Sequence, residues 1–421
     1  MVVYKFGGAS VRSAEGIKNI VSIVSGNSQN MFIVVSAMGK TTNAMERVLD
    51  AFMRAEKNEA LAQMIEIEQF HRGICNQIFY SEKETDEILN PLFTEIKKLI
   101  INGIGDDYDR WYDRLVSYGE IISTKIISAY LKTQKVDNKW LDMRHLLITD
   151  SNFREANVNM EQSRKKLREA VDFKQYKIFI GQGFIGANLK GDATTLGREG
   201  SDYTAAVVGN LLDAQSVTIW KDVPGILNAD PRIFPNTVLI PELTYADAVE
   251  LAYSGAQIIH PKTIKPLENA NIPLFVRPFY APAEFGSVIK AQTAHAIDVP
   301  VLILRENQTL VSIRPRDFSF VLEDSLSHVF SVLNKHRIKV SLIQSSAVSI
   351  SVCVDNTRYL PAALDELFND YLVIYNHNLE LLTIRGTNTE IENETTSGRE
   401  ILLSQHTRRI ARFLMRKKEL N

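Results

Sequence analysis

The sequence has little cysteine and no clustered histidine. Of its 421 residues only Cys75 and Cys353 are cysteines, and they lie far apart along the chain. The eight histidines form no HxxxH or HxH motif. These absences exclude a disulfide framework and argue against a zinc site built from cysteine or histidine ligands. We therefore expect a cytoplasmic protein with no metal-ligating residues of its own.

Excess charge and long apolar runs are also missing. A formal net charge of −2 provides no basic field for nucleic acid or a membrane surface. No apolar run approaches the roughly 18 residues of a membrane span, and the N-terminus begins with a strand pattern rather than a signal peptide. With 45% hydrophobic and 23% charged residues, the chain is typical of globular proteins, and its length favours two or three domains.

Strand and helix patterns alternate through the first two thirds of the chain. Ile17, Ile20 and Val24 recur at helical spacing, and residues 32–35 form an apolar run typical of a strand buried on both faces. Residues 52–135 are mostly helical in pattern, and the alternation resumes after Lys177. Further elements are predicted over Val217–Trp220 (strand), Thr244–Gly255 (helix) and Ile272–Val276 (strand). This order predicts an α/β fold, a mostly parallel sheet sandwiched by helices in three layers.

The pattern changes after about residue 295. The predicted order is strand, helix, strand, strand, helix, strand, which is that of a small ferredoxin-like α+β unit. Its elements are Gln308–Arg314, a helix with Leu326, Val329, Phe330 and Leu333 on one face, Lys339–Ser346, Ser349–Asp355, Thr357–Asn369 and Tyr371–Asn376. A last strand over Leu379–Ile384, a mobile loop over Gly386–Gly398 and a basic tail over Arg408–Lys418 are expected to follow. A solvated face explains this tail better than a nucleic-acid site.

The opening strand runs directly into a glycine turn. Lys5 follows the apolar residues Val2–Tyr4, and Gly7 and Gly8 come next. A glycine turn exposes backbone N–H groups to phosphate oxygens, and a lysine beside it adds a mobile positive charge. The sequence therefore indicates phosphate binding here, although glycine pairs also occur in ordinary turns.

Two further glycine-rich segments lie between residues 181 and 202. Residues 181–186 match GxGxxG, but a dinucleotide site requires a helix to start there, and a loop-like sequence follows instead. The second segment, residues 194–202, places Arg198 and Asp202 before a helical pattern over Tyr203–Leu212. Arginine is suited to bidentate binding of a carboxylate. Asp202 is equally consistent with an ordinary residue at a helix N-terminus.

Taken together, these motifs resemble aspartate kinase, a member of the amino-acid kinase superfamily. The residues that carry the resemblance are Lys5–Gly8, Val35–Gly39, Gly119-Glu120, Gly197–Asp202, Trp220–Gly225, Ala229–Arg232 and His260-Pro261. The C-terminal unit resembles the ACT regulatory domain of that family. The resemblance implies a catalytic domain over residues 1–292 and a regulatory region over residues 293–421, with one full ACT unit at about 308–376 and a reduced second unit.

The resemblance also implies the reaction, which is transfer of the ATP γ-phosphoryl group to the side-chain carboxylate of L-aspartate. ATP would enter with Mg²⁺ held mainly by its phosphates. Lys5 and Asp202 would be catalytic. The implied substrate-binding residues are Ser36, Thr42, Glu120, Arg198 and Ser201. The implied nucleotide-binding residues are Lys5, Gly7, Gly8, Ser10, Lys221, Asp222, Val223, Gly225, Arg232, Gln257 and Lys262.

Several positions depart from the family pattern. Ala9 replaces a usual threonine, Gln257 a common lysine and Leu227 a common tyrosine. Residues 197–202 read GREGSD where the family usually has GRGGSD, so Glu199 replaces a glycine. A positive φ at this position would strain Glu199. Lys221 replaces a usual threonine, and we expect it to contact a nucleotide phosphate.

The regulatory region departs further. Ser341 and Ala347 stand where lysine-inhibited relatives have acidic residues, so an effector ammonium loses its obvious partner unless Glu323 or Asp324 compensates. We therefore expect weak or absent lysine inhibition. Because ACT units usually pair through a sheet edge or face, we expect a homodimer. Two alternatives stay open, a glutamate-type amino-acid kinase and an inactive sensor of amino acids or nucleotides.

Overall fold

The computed structural model describes residues 1–256, 259–294, 297–317, 320 and 323–417, which fold into two compact units. The first unit contains Met1–Leu227, Leu239–Val249 and the described part of residues 257–296. The second contains Asn228–Val238, Glu250–Ala256 and the described part of residues 297–421.

The strands are, in chain order, β1 (Val2–Phe6), β2 (Met31–Val35), β3 (Lys139–Trp140), β4 (Ile148–Thr149), β5 (Ile178–Gln182), β6 (Ile185–Asn188), β7 (Ala193–Thr195), β8 (Ser216–Lys221), β9 (Glu242–Thr244), β10 (Leu274–Pro278), β11 (Ser287–Lys290), β12 (Val301–Pro315), β13 (Val340–Ser345), β14 (Ile350–Asp355), β15 (Tyr371–Arg385), β16 (Ile401–His406) and β17 (Ile410–Arg416).

The helices are α1 (Ala14–Ser25), α2 (Thr41–Met53), α3 (Lys57–Ile78), α4 (Glu82–Asn102), α5 (Tyr108–Val116), α6 (Tyr118–Thr133), α7 (Met160–Ala170), α8 (Gly200–Leu211), α9 (Tyr245–Tyr253), α10 (Pro261–Asn269), α11 (Glu323–Lys335), α12 (Leu360–Asp370) and α13 (Thr389–Thr396). A short 3₁₀ turn covers Met143–His145. None of these described helices is long and apolar enough to cross a membrane.

The first unit is organised by a sheet of eight described strands in the order β3-β5-β2-β1-β8-β10-β11-β9. All neighbouring strands are parallel except the antiparallel pair β10 and β11. Lys5 lies opposite Val34 on one side and Ile219 on the other. The α/β fold with a mostly parallel sheet is confirmed, and the carboxyl ends of β1, β2, β5 and β8 meet at one edge.

Burial explains why these segments form strands and helices. Every residue of β1 and β2 is buried, as expected for central strands of a parallel sheet. Ser13 caps α1 by accepting a hydrogen bond from the Gly16 N–H, and the buried face of that helix carries Ile17 and Ile20. Thr244 and Asp247 form a capping box at the start of α9.

The second unit contains a sheet of six described strands in the order β13-β14-β12-β15-β17-β16, with every pair antiparallel. Helices α11 and α12 contribute Val329, Leu333, Leu364 and Leu367 to one buried cluster with β12, β14 and β15. Phe330, predicted for the same helix face, is 39% exposed. The predicted ferredoxin-like α+β arrangement is confirmed for this unit.

Two strands are longer than the sequence predicted. Tyr371–Asn376 and Leu379–Ile384 belong to one strand, β15, and β12 begins at Val301, seven residues before the predicted start, and pairs with β15 along this extension. Asn307 and Asn378 adopt positive φ of 55° and 58° at register shifts between these strands. Asparagine tolerates that conformation, so what resembled a turn is an irregularity within continuous strands.

The expected mobile loop over Gly386–Gly398 is wrong, because helix α13 lies within it. Asn388 caps this helix by accepting a hydrogen bond from the Ile391 N–H at 2.9 Å. Ile391 packs against a buried cluster containing Leu382, Ile384 and Phe413. The basic tail forms strand β17 up to Arg416, and Lys418 lies outside the described residues.

Candidate active site

Lys5 lies near the carboxyl end of β1, and its ammonium group is beside the glycine turn. A Cβ added to Gly7 would lie 3.4 Å from Lys5 Nζ. The turn continues with the Ser10 N–H, which donates to Gly7 O at 3.0 Å, and Ser10 itself is buried. The predicted association of one lysine with the glycine turn is thus present in the structure.

Asp202 pairs with two lysines that lie on the neighbouring strands β1 and β8. Its Oδ1 lies 2.5 Å from Lys5 Nζ, and its Oδ2 lies 3.9 Å from Lys221 Nζ. Burial raises the pKa of Asp202, but the charges of Lys5 and Lys221 outweigh burial and hold that pKa below its ordinary value. Asp202 is in the first turn of α8, where the helix dipole also favours a negative charge.

The loop after β2 packs directly on the glycine turn. A Cβ on Gly8 would lie 2.8 Å from Ala37 O, so only glycine permits this approach. The Gly39 N–H donates to Gly8 O at 3.0 Å, and the Ser36 N–H donates to Phe6 O at 3.1 Å. Ser36 and Thr42, the latter in the first turn of α2, are both half-buried.

Glu120 is a buried carboxylate that faces this same loop. Its Oε1 accepts a hydrogen bond from the Ala37 N–H at 3.2 Å, while Oε2 is buried and has no hydrogen-bond partner among the described residues. Burial raises the pKa of Glu120 to about 8. The preceding Gly119 lets α6 approach Ala37 closely, since a Cβ there would lie 3.1 Å from Ala37 Cβ. A buried acceptor without a partner is suited to a cationic ligand group.

The GxGxxG segment does not form a dinucleotide site, because β5 is followed by strand β6 rather than a helix. The residue that follows β5, Gly183, instead contacts the start of α8. A Cβ on Gly183 would lie 2.4 Å from Ser201 Cβ, so the glycine accommodates Ser201. The sequence after Gly186 was expected to be loop-like, but β6 continues to Asn188 and pairs with β7.

The loop over residues 196–199, here called the arginine loop because it carries Arg198, enters α8 through a left-handed residue. Glu199 is the N-cap of the helix and has φ of 52°, as its replacement of glycine suggested. Its carboxylate Oε2 accepts a hydrogen bond from the His260 N–H at 2.7 Å. Arg198, immediately before it, is exposed.

The predicted nucleotide-binding residues fall into different places. Asp222 is exposed and Val223 half-buried after β8, and Gly225 is buried with φ of 153°. Arg232 belongs to the second unit, where its Nη2 lies 2.6 Å from Asp230 Oδ2. Lys262 Nζ donates to Leu196 O at 3.2 Å. Gln257 lies outside the described residues.

Sequence reasoning missed two buried residues that support the site. Asp113 on α5 accepts hydrogen bonds from the Thr195 N–H at 2.8 Å and from the Arg154 N–H at 3.0 Å, and it thereby fixes the strand before the arginine loop. His71 lies on α3, and its Nε2 is 3.4 Å from the Oγ1 of Thr41 at the start of α2. Neither residue is part of a local motif, so no sequence signal distinguishes them from ordinary helix residues.

Comparisons with known proteins show the family to which this chain belongs. The sequence profile described as the Amino acid kinase family matches residues 1–278. Lysine-sensitive aspartokinase 3 of Escherichia coli strain K12 is 33% identical over 85% of this chain and 79% of its own length. Chloroplastic aspartokinase 2 of Arabidopsis thaliana is 30% identical over 87% of this chain and 69% of its own length. This chain belongs to the aspartokinases of the amino acid kinase family.

Solved structures give the same assignment. E. coli aspartokinase III in complex with aspartate and ADP, in its R-state, superposes with a TM-score of 0.83 at 29% identity, covering 99% of this chain and 96% of that one. The T-state of that enzyme, in complex with lysine and aspartate, gives a TM-score of 0.79, covering 98% and 95% of the two chains. The resemblance to aspartate kinase and the expectation of an ATP-dependent kinase are confirmed.

Proposed function

We propose that Lys5 lies between ATP and L-aspartate and assists transfer of the γ-phosphoryl group to the side-chain carboxylate. A carboxylate oxygen forms the new bond to phosphorus, the bond from phosphorus to the β,γ-bridging oxygen breaks, and ADP leaves with that electron pair. The attacking carboxylate is already ionised at neutral pH, so the reaction needs no general base. The observation that carries the proposal is the buried Lys5–Asp202 pair beside the Gly7 turn.

Lys5 would act by stabilising charge on the equatorial oxygens of the transferring group. Phosphoryl transfer depends mostly on positioning and on such electrostatic stabilisation. Asp202 would hold the ammonium of Lys5 charged and oriented until both ligands are bound. Because Asp202 also faces Lys221, its carboxylate would position two cations on adjacent parallel strands.

The aspartate side of the site would use groups of both signs. Glu120 offers its unpartnered Oε2 to the α-ammonium, and the exposed Arg198 provides a planar partner for the α-carboxylate. The reacting carboxylate would receive hydrogen bonds from Ser36 and Thr42. Ser201, at the start of α8, would complete the substrate contacts.

The nucleotide side would begin at the glycine turn, whose N–H groups would hold phosphate oxygens together with Ser10 and Lys221. Asp222 and Val223 would contact adenosine through the backbone, near the Gly225 turn. Gln257 and Lys262 complete the predicted contacts.

Magnesium would enter with ATP. Within the described residues, no group of three or more His, Cys, Asp or Glu side chains is arranged to hold a metal ion. Mg²⁺ would instead be held mainly by the nucleotide phosphates, and it would neutralise their charge there.

A hydroxylamine trapping assay tests the function. The full chain is incubated with ATP, Mg²⁺ and L-aspartate, and acyl phosphate is captured as the hydroxamate. We expect aspartyl hydroxamate and no product with L-glutamate. Product with glutamate alone would favour a glutamate-type kinase, and no product with either would favour an inactive sensor.

We infer that lysine inhibits this chain weakly or not at all. Ser341 stands where lysine-inhibited relatives have an acidic residue, and its Oγ accepts a hydrogen bond from Arg305 Nη1 at 2.7 Å. Arg305 also pairs with Asp355, Nη2 to Oδ1, at 2.7 Å. A cation of the chain thus faces Ser341, and Glu323 and Asp324 are exposed at the start of α11.

We also infer that the chain carries a catalytic domain over residues 1–292 and a regulatory region over residues 293–421, and that it acts in the cytoplasm.

We infer that the chain forms a homodimer. Strands β13 and β16 are the end strands of the described six-stranded sheet, and an edge strand offers unpaired N–H and C=O groups to a second copy. Light scattering coupled to gel filtration would give twice the chain mass of 47.5 kDa. A single chain mass at micromolar concentration would contradict the dimer.

A further inference from the structure

Glu199 adopts a backbone conformation that a glycine would adopt without strain. Its φ of 52° places it in the left-handed region, where side chains with a Cβ are disfavoured. The related GRGGSD pattern has glycine at this position, so the chain keeps a strained residue where an unstrained one is possible. A specific contact of the Glu199 carboxylate explains this choice.

The carboxylate of Glu199 reaches the N-terminus of another helix. Its Oε2 accepts a hydrogen bond from the His260 N–H at 2.7 Å, and His260 is the N-cap of α10. The partial positive charge of a helix N-terminus strengthens a contact with a carboxylate. His260 in turn accepts a hydrogen bond from the Lys262 N–H at 3.2 Å through Nδ1, so its side chain caps the first turn of α10.

A second contact runs in the opposite direction between the same two segments. Lys262 Nζ donates to Leu196 O at 3.2 Å and lies 4.7 Å from the ring centroid of Tyr203. The Glu199 carboxylate of the arginine loop therefore binds the backbone at the start of α10. The Lys262 ammonium group of α10 binds the backbone of the loop. Gly197 and Arg198 lie between these two attachment points.

We propose that Glu199 is a positioning residue for aspartate binding, because its bond to the His260 N–H fixes the loop that presents Arg198. This proposal rests on the proposed function, in which Arg198 binds the α-carboxylate of aspartate. Glu199 touches no substrate itself. It sets the affinity for substrates that carry an α-carboxylate and leaves the phosphoryl-transfer step unaffected.

Substitution of Glu199 separates this role from a merely structural one. Glu199→Gly removes the carboxylate and relieves the strained φ, so we expect the thermal midpoint to stay constant or rise. The Kd of aspartate, measured by calorimetry, is expected to rise about tenfold, as for loss of one charge-assisted contact. The kcat and the KM of ATP are expected to change less than twofold. Glu199→Gln keeps an oxygen acceptor and should restore most of the affinity.

Two further comparisons direct the test at Arg198. β-Alanine lacks the α-carboxylate of aspartate, so its inhibition constant should be equal in wild type and Glu199→Gly. In an Arg198→Ala background, Glu199→Gly should add no further loss of aspartate affinity. Glu161→Ala, which removes an exposed carboxylate from the first turn of α7, is the matched control.

Several results would overturn the proposal. An unchanged Kd of aspartate in Glu199→Gly would do so, as would an equal loss for β-alanine or a full additional loss in the Arg198→Ala background. A lowered thermal midpoint together with proportional losses of kcat and both affinities would show a structural role only. Wild-type protein that binds no aspartate would overturn the proposed function and this proposal together, whereas failure of the variant pattern alone leaves the proposed function intact.

Discussion

Lys5 and Asp202 form a buried ion pair, Nζ to Oδ1 2.5 Å apart, that joins the first strand of the chain to a helix almost two hundred residues later. Their side chains are 10% and 5% exposed. Removing one partner from such a pair leaves the other charge buried and uncompensated. Substitutions in this pair therefore test the stability of the fold as well as catalysis.

Asp202→Asn is expected to lower the free energy of unfolding by about 3 kcal/mol, because the ammonium of Lys5 loses its partner. Urea denaturation followed by circular dichroism measures this change. The matched control is Asp230→Asn, which breaks a more exposed pair with Arg232 and should lower the free energy of unfolding much less. Equal losses in the two variants would show that the Lys5–Asp202 pair is not the buried contact described above.

Glu120 should make stability fall as the pH rises. Burial raises its pKa from 4.5 to about 8, so between these values the folded chain holds a proton that the unfolded chain has lost. The free energy of unfolding then decreases with pH across that window, by at most about 1.4 kcal/mol per pH unit. Glu120→Gln should abolish this contribution. An unchanged pH slope in the variant, measured by urea denaturation at several pH values, would be inconsistent with the raised pKa.

The same group should make aspartate binding depend on pH. The α-ammonium of aspartate favours the ionised form of Glu120, so binding removes a proton whenever the free site is protonated. Aspartate affinity is therefore expected to increase as the pH rises toward about 8. Calorimetry in buffers of different ionisation enthalpy would detect the released proton, and Glu120→Gln should release none.

Lys221→Ala should raise the KM of ATP about tenfold, the size expected for one lost contact between a lysine and a phosphate. Steady-state assays at saturating aspartate give this value. Lys18→Ala, an exposed lysine on α1, is the control and should leave the KM unchanged. We would abandon the phosphate contact of Lys221 if both variants had the wild-type KM of ATP.

Lysine should inhibit poorly because Arg305 already faces Ser341. We expect an inhibition constant above about 1 mM, which corresponds to a binding free energy weaker than about −4 kcal/mol. Initial rates at increasing L-lysine, with arginine as the cationic control, measure it. Inhibition by lysine well below that concentration would contradict the account of this region.

Much of the first unit could be predicted because its central strands are continuous apolar runs that end at polar motifs. Lys5, Ser36 and Lys221 lie near the carboxyl ends of such strands, and parallel packing brings those ends together. The second unit was harder to predict. Asn378 resembles a turn residue but adopts a positive φ inside β15, and the polar sequence around Ile391 conceals a capped helix. Asp113 acquires its role only through tertiary contacts, which no local pattern shows.

The Lys5→Ala variant tests the central claim most directly. If Lys5 stabilises the transferring phosphoryl group, kcat should fall about a thousandfold, while calorimetric Kd values for ATP and aspartate stay within about tenfold of wild type. A kcat within tenfold of wild type, with a raised KM for either substrate, would contradict the position of Lys5 between donor and acceptor.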